Sequence, residues 1–217
     1  MKKKEDRNKN PTLERREFLF EVRAAEDQQH GRFIEGRPIV FESKTDLGCF
    51  DEIIHKGALD NTDLTDVRFL VNHDLRKIPL ARSRRNTENS TMQLKPDDNG
   101  MGIRVNLDTE NNMDARALYS AVQRGDITGM SFMFGIRGEK WENLDTEHPT
   151  RHITDISTVI EVSAVTFPAY EDTEINARGR EALENARRAV ETARGQSLDS
   201  GKLLELWKLK NQILGGY

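Results

Sequence analysis

The sequence predicts a mainly β fold, with a barrel-like core of short strands decorated by helices and followed by a helical tail. Three observations predict it. Apolar runs of strand length recur between turn signals, one of those turns is a strong hairpin signature, and the residue types change to helix formers after Asn176. Many short strands with two interposed helices, then a helical tail, argue for a β-barrel-like core decorated by helices.

Residues 1–16 are charged and featureless and read as a mobile N-terminal tail. From Glu17 the pattern alternates, so that Phe18, Phe20 and Val22 share one face of an extended segment. A second strand is expected over Phe33–Phe41, interrupted at Gly36 and Pro38. Residues 50–59, FDEIIHKGAL, set Phe50, Ile53, Ile54 and Leu59 near helical spacing. Val67–Asn72 is an apolar run of strand length.

Pro96-Asp97-Asp98-Asn99-Gly100 is a turn, because Asn-Gly tolerates positive φ. It joins Thr91–Leu94 to Gly102–Leu107 as a hairpin. Asp114 can cap a helix through Ala115, Leu118, Tyr119 and Val122 that stops at Gly125. Strands follow at Gly129–Ile136 and Val159–Phe167, with a polar connector between them. Residues 178–194 are rich in Arg, Glu and Ala and predict a helix. Residues 202–214 predict another, with Leu203, Leu206, Trp207, Ile213 and Leu214 on one stripe.

Composition bounds the function classes. Of 217 residues, 35% are apolar and 32% charged, so a compact centre with polar ends is expected rather than one packed whole. A net charge of −4 gives no electrostatic footprint for a specific nucleic-acid binder. No apolar run approaches the roughly 20 residues that span a bilayer, and the basic start MKKKEDRNKN has no apolar stretch behind it. The single cysteine, Cys49, leaves no internal disulfide and suits a reducing, intracellular setting.

A hydrolase built on serine needs a hydroxyl on a rigid element, an imidazole to take its proton, and a group to orient that imidazole. Of five histidines, only His73 ends an apolar strand, in VRFLVNHD. His30 falls in a Gln-rich loop, His55 in the helix expected over 50–59, and His148 and His152 in the polar connector. Ser131 lies in Gly129-Met130-Ser131-Phe132-Met133-Phe134. As a strand, this segment sends Met130, Phe132 and Phe134 to the core and turns Gly129, Ser131 and Met133 the other way. A hydroxyl beside a glycine would then be open to a substrate backbone. The plainer readings are a strand serine satisfied by a backbone carbonyl and a structural histidine.

The third group must come from elsewhere. Asp74 neighbours His73, and adjacent side chains on an extended chain diverge. Glu161 is an acid inside the apolar run Val159–Phe167; it either faces solvent or is paired, and an imidazole is one such partner. His148 and His152 are four apart, but Pro149 favours a loop and no third ligand is evident, so no metal is expected. Arg82, Arg84 and Arg85 lack interleaved aromatics and read as a solvated hairpin edge.

Four strings in order carry a resemblance. Phe50…Glu52-Ile53-Ile54…Gly57-Ala58-Leu59, Asn72-His73-Asp74, Gly129-Met130-Ser131-Phe132-Met133-Phe134, and Glu161-Val162-Ser163-Ala164-Val165-Thr166-Phe167-Pro168-Ala169-Tyr170 together resemble the caudovirus prohead serine proteases, which are related to the herpesvirus maturation protease, assemblin. The resemblance implies a closed, mainly antiparallel β-barrel ringed by helices over residues 17–177, with 178–217 as a helical C-terminal extension. It implies a serine endopeptidase with Ser131 as nucleophile, His73 as general base and Glu161 where assemblin has a second histidine. The oxyanion-hole region has no arginine, which leaves the Ala169 amide as donor. No cofactor is implied.

Implied partners are the scaffolding protein and the major capsid protein, as substrates inside the assembling prohead in the host cytoplasm. Self-cleavage and a homodimer are further expectations. The alternative from another class is a catalytically silent assembly factor with the same fold.

Overall fold

The computed structural model describes residues 13–18, 22–28, 31–166 and 179–194. Eleven strands and two helices lie within them. In chain order these are β1 (Leu13–Phe18), β2 (Arg23–Asp27), β3 (Gly31–Val40), β4 (Lys44–Asp46), β5 (Asp51–Ile54), β6 (Asp66–Val71), β7 (Ala81–Arg84), β8 (Met92–Asp97), β9 (Gly100–Asn106), α1 (Met113–Arg124), β10 (Gly129–Glu142) and β11 (Thr150–Val165). A second helix, α2, covers residues 179–194.

The strands make two sheets. The smaller runs β2-β3-β9-β8, all antiparallel. The larger follows β1-β10-β11-β5-β4, with β6 also on β11 and β7 on β6. Its spine is the long β10–β11 hairpin, in which the apolar strands expected at 129–136 and 159–167 extend through the polar connector. Four register shifts between Met133 and Glu139 bend this hairpin, as bulges do. One core lies between the sheets, with Ile34, Met101 and Val105 on one side and Phe69, Phe132, Phe134 and Val162 on the other.

Neither sheet closes, which corrects the expected closed antiparallel barrel. β11 accepts two parallel partners on one flank, β5 along its first residues and β6 along its last. The sheet therefore branches, ending at β1 on one side and at β4 and β7 on the other, and no pairing joins these ends among the described residues. The helices do not ring it. α1 packs on β2 and β3, while α2 docks at the far end, where Leu183 is buried and Arg187 donates to the carbonyls of Leu144 and Thr146.

Several local expectations are met. The β8–β9 hairpin pairs Asp97 with Gly100 across a two-residue turn. Gly100 has φ 135°, and a Cβ there would stand 2.0 Å from the Ile39 carbonyl oxygen, so no other residue fits. β3 shifts register between Gly36 and Ile39, around Pro38, which has no N–H for the ladder. α1 ends on Gly125 in the left-handed region. Its cap is Asn112 rather than Asp114: the Asn112 side chain accepts the amides of Asp114 and Ala115 at 3.0 and 3.2 Å.

Two expectations are overturned. Residues 51–54 form β5, not a helix, and the chain turns through 56–61. A run this short fits either period, and the ladder partners offered by β4 and β11 decide it. At the N-terminus, the strand expected from Glu17 begins at Leu13, inside the segment read as a tail, and β2 lies in the other sheet. Glu14 and Arg16 look solvated in sequence but are both buried, because each meets an opposite charge. The helix expected over 202–214, residues 1–12 and Phe20 lie outside the described residues.

Candidate functional site

The site grows from the last residues of β6. Asn72 and His73 both have positive φ, 51° and 56°, and so turn the chain sharply off the strand end. That bend is costly for residues other than glycine, and it is held from β11. Asn72 donates its amide to the Ala164 carbonyl, and its side chain meets the amide and hydroxyl of Thr166. The His73 amide donates to Ser163 Oγ at 3.1 Å.

The turn aims the His73 ring at Glu161. Nδ1 lies 2.5 Å from Glu161 Oε1, and the carboxylate is fully buried. Its other oxygen accepts the Ser163 hydroxyl at 2.6 Å. Of the two alternatives for Glu161, pairing therefore holds and solvent exposure does not. A carboxylate without solvent is tolerable only when its oxygens are bonded this way. Ser163 thus joins the acid to the backbone of the histidine. Sequence reasoning passed over it, although its place two residues beyond Glu161 on a strand put it on the same face.

Ser131 faces the same side. In the β10–β11 ladder it stands opposite Ser163, as Met133 stands opposite Glu161, and residues directly opposite in an antiparallel pair share a face. Met130, Phe132 and Phe134 point the other way into the core, as the alternation predicts. The expected exposure of Ser131 is not found: the residue is 0% exposed. Its hydroxyl donates to the backbone carbonyl of Arg16 in β1 at 2.8 Å, so its proton is not directed at the imidazole.

Of the remaining candidates, Asp74 turns away to Arg76. His148 and His152 go to different partners: His148 Nε2 lies 3.1 Å from Asp51 Oδ1, and His152 Nδ1 2.8 Å from His55 Nε2. Arg82 pairs with Asp66 at the edge formed by β6 and β7. Ala169 lies outside the described residues.

A buried charged cluster lies on the other face of β10 from Ser131, the face of Phe132 and Phe134. The Arg16 guanidinium lies between Glu14 and Glu52, and Arg151 takes both oxygens of Glu14 at 2.8 Å. Burial pushes the Glu14 carboxyl up, but the guanidiniums of Arg16 and Arg151 more than reverse this and hold it below its usual range. Burial likewise opposes the charge on Arg16, and the two carboxylates override it and raise its pKa. Four groups of alternating sign offset one another where no single one would be stable.

The structure brings His73 and Glu161 into contact and sets Ser131 on the strand next to Glu161, with its hydroxyl on the Arg16 carbonyl; a hydroxyl, an imidazole and a carboxylate are groups that serine hydrolases employ. Comparison with known families reaches the same class: the model of the caudovirus prohead serine protease matches residues 19–188, and the chain belongs to that family. The family is one of serine peptidases of phage prohead maturation, and membership in it indicates capsid-related substrates and a place in the assembling prohead within the host cell. No curated protein and no solved structure gives a significant match. No helix among the described residues is long and apolar enough to cross a membrane.

Proposed function

We propose that the protein is a serine endopeptidase in which Ser131 is the nucleophile and His73 its general base, with Glu161 positioning the imidazole. The observation that carries this reading is the 2.5 Å contact between His73 Nδ1 and a carboxylate wholly withdrawn from solvent. With Nδ1–H donating to Glu161, the lone pair of the neutral ring resides on Nε2, the tautomer a general base needs.

The steps then follow. Nε2 takes the Ser131 proton as Oγ bonds to the peptide carbonyl carbon, and the negative charge goes to the carbonyl oxygen. As the tetrahedral species collapses, the C–N bond breaks and the imidazolium gives its proton to the leaving amine. Water repeats the sequence on the acyl ester, with His73 again as base, and releases Ser131. Glu161 stabilises the imidazolium in both halves. The Ala169 amide is the proposed oxyanion donor.

The substrates proposed are the scaffolding protein or the scaffold-like segment of the major capsid protein, and the protease itself. Residues 17–177 are the proposed catalytic unit, and 178–217 an extension that docks on assembly partners. Pairing into a homodimer is a further element of the proposal. Cleavage would free internal volume for DNA and make assembly irreversible.

A second reading has one observation in its favour. The complete burial of Ser131 and its bond to Arg16 suit a catalytically silent assembly factor with the same fold. Co-expression with the capsid protein separates the two. Capsid protein shortened by the wild-type chain and left intact by Ser131→Ala supports the peptidase, and full-length capsid protein in both sinks it.

A further inference from the structure

A nucleophile has to meet a peptide carbonyl, and one is already beside Ser131. β1 lies antiparallel along the outer edge of β10 with Glu17 opposite Ser131. The carbonyl accepting the Ser131 hydroxyl belongs to the preceding residue, Arg16. An extended segment added to a sheet edge, with a backbone carbonyl at the nucleophile, is how a peptide bound by β-strand addition sits. The arrangement is unreactive. The hydroxyl proton goes to the carbonyl oxygen, whereas attack needs it on the imidazole and Oγ on the carbonyl carbon.

The side chains of β1 are read as a ligand's would be. Arg16 meets Glu52 through two nitrogens, with Nη2 2.6 Å from Oε2, and its guanidinium carbon lies 5.6 Å from the centre of the Phe134 ring. Two residues earlier on the same face, Glu14 takes the bidentate fork of Arg151. Glu52 and Arg151 are paired neighbours on β5 and β11. They form a fixed receptor of two opposite charges. The family match includes both of them and begins at residue 19, immediately after β1. The receptor thus belongs to the shared domain, and its occupant precedes it.

Resting on Ser131 as nucleophile, we infer that the outer edge of β10 is the substrate lane and that β1 fills it in cis, holding the enzyme closed. The peptide that displaces β1 is extended, with a basic residue at the place of Arg16, read by Glu52, and an acidic residue two positions earlier, read by Arg151. The bond offered to Ser131 is the one after the basic residue. A tethered strand competes at an effective concentration in the ~mM range. Displacement is therefore favoured where the substrate is comparably concentrated, as inside a shell built from it.

The test uses full-length protein and a fluorophosphonate probe, with attachment to Ser131 followed by mass spectrometry. Arg15 and Met133 are paired across β1 and β10, so Arg15→Cys with Met133→Cys, in a Cys49→Ser background, locks β1 in place when oxidised. The locked protein is expected to label at least about tenfold more slowly than the same sample after reduction. Glu14→Ala with Arg16→Ala is expected to label faster than wild type by a similar factor. A peptide of sequence LERREF should slow that variant again, and the same peptide with Glu at the Arg16 position should not. Equal labelling of the oxidised and reduced lock, with Ser131 reactive in both, overturns the lane and leaves the nucleophile standing. Absence of labelling in every form, the loosened variant included, removes the nucleophile and the lane with it.

Discussion

Glu161 and His73 meet carboxylate to imidazole at 2.5 Å across 88 residues of sequence, the acid from the middle of a strand and the base from the turn beyond its parallel neighbour. In the proposed mechanism this contact keeps the ring proton on Nδ1, and the first prediction tests that role. Glu161→Gln keeps the shape but can hold the wrong tautomer, and should lower kcat roughly 10⁴-fold, as the Asp→Asn change of the acid does in the Ser-His-Asp triad. A merely structural role would leave the pH profile of kcat/KM unmoved. A positioning role shifts its acidic limb, measured on a peptide substrate between pH 5 and 9.

Ser163 links the acid to the backbone of the base. Ser163→Ala removes the donor to Glu161 Oε2 and the acceptor for the His73 amide. Two buried groups lose a partner, at about 1–3 kcal/mol each. Chemical denaturation should show a lowered midpoint with the slope unchanged. Activity should fall by about tenfold or more, since the turn carrying the imidazole is no longer tied. Full activity with unchanged stability would refute the link.

Acid should release β1 before the domain unfolds. The folded pKa of Glu14 is depressed, so the stability that this carboxylate contributes is present above its unfolded value, about 4.3, and is lost as pH falls through the lower folded value. The groups facing it are Arg16, Arg151 and, beyond them, Glu52 and Glu139. Once Glu14 is neutral, Arg16 and Arg151 repel, and amide exchange over residues 13–18 should rise, as pH falls below the ordinary carboxylate range, ahead of β10 and β11. Exchange that rises together in all three strands would count against it.

The face of β10 opposite the hydroxyl is the core. Phe132 is fully buried, with its ring 4.8 Å from that of Phe134, and Phe132→Ala should cost about 3–5 kcal/mol. A drop well under 1 kcal/mol in thermal or denaturant unfolding would mean that the two sheets do not share this core.

Much of this was legible in the sequence because it is local. The alternation around Ser131 fixed which side chains enter the core, the Asn-Gly turn fixed a hairpin, and Gly125 marked a helix end. An acid in an apolar run left Glu161 either facing solvent or paired, and the contact with His73 decides for pairing. Residues 51–54 misled because four residues carry too little period to separate strand from helix. The tail misled for another reason: residues 13–16 read as part of a mobile charged tail until the charges that meet Glu14 and Arg16 are known.

By itself, the sequence determined the strand-rich character and the faces of most strands, and it offered Ser131, His73 and Glu161 as candidates for a hydroxyl, an imidazole and a carboxylate. Each of these follows from neighbours a few residues away, through backbone geometry and side-chain alternation. The open sheets, the meeting of His73 with Glu161 and the burial of Ser131 under β1 were decided only by the tertiary structure. They depend on which distant strand supplies the next ladder of hydrogen bonds and on where opposite charges can leave water together, and no local pattern encodes either.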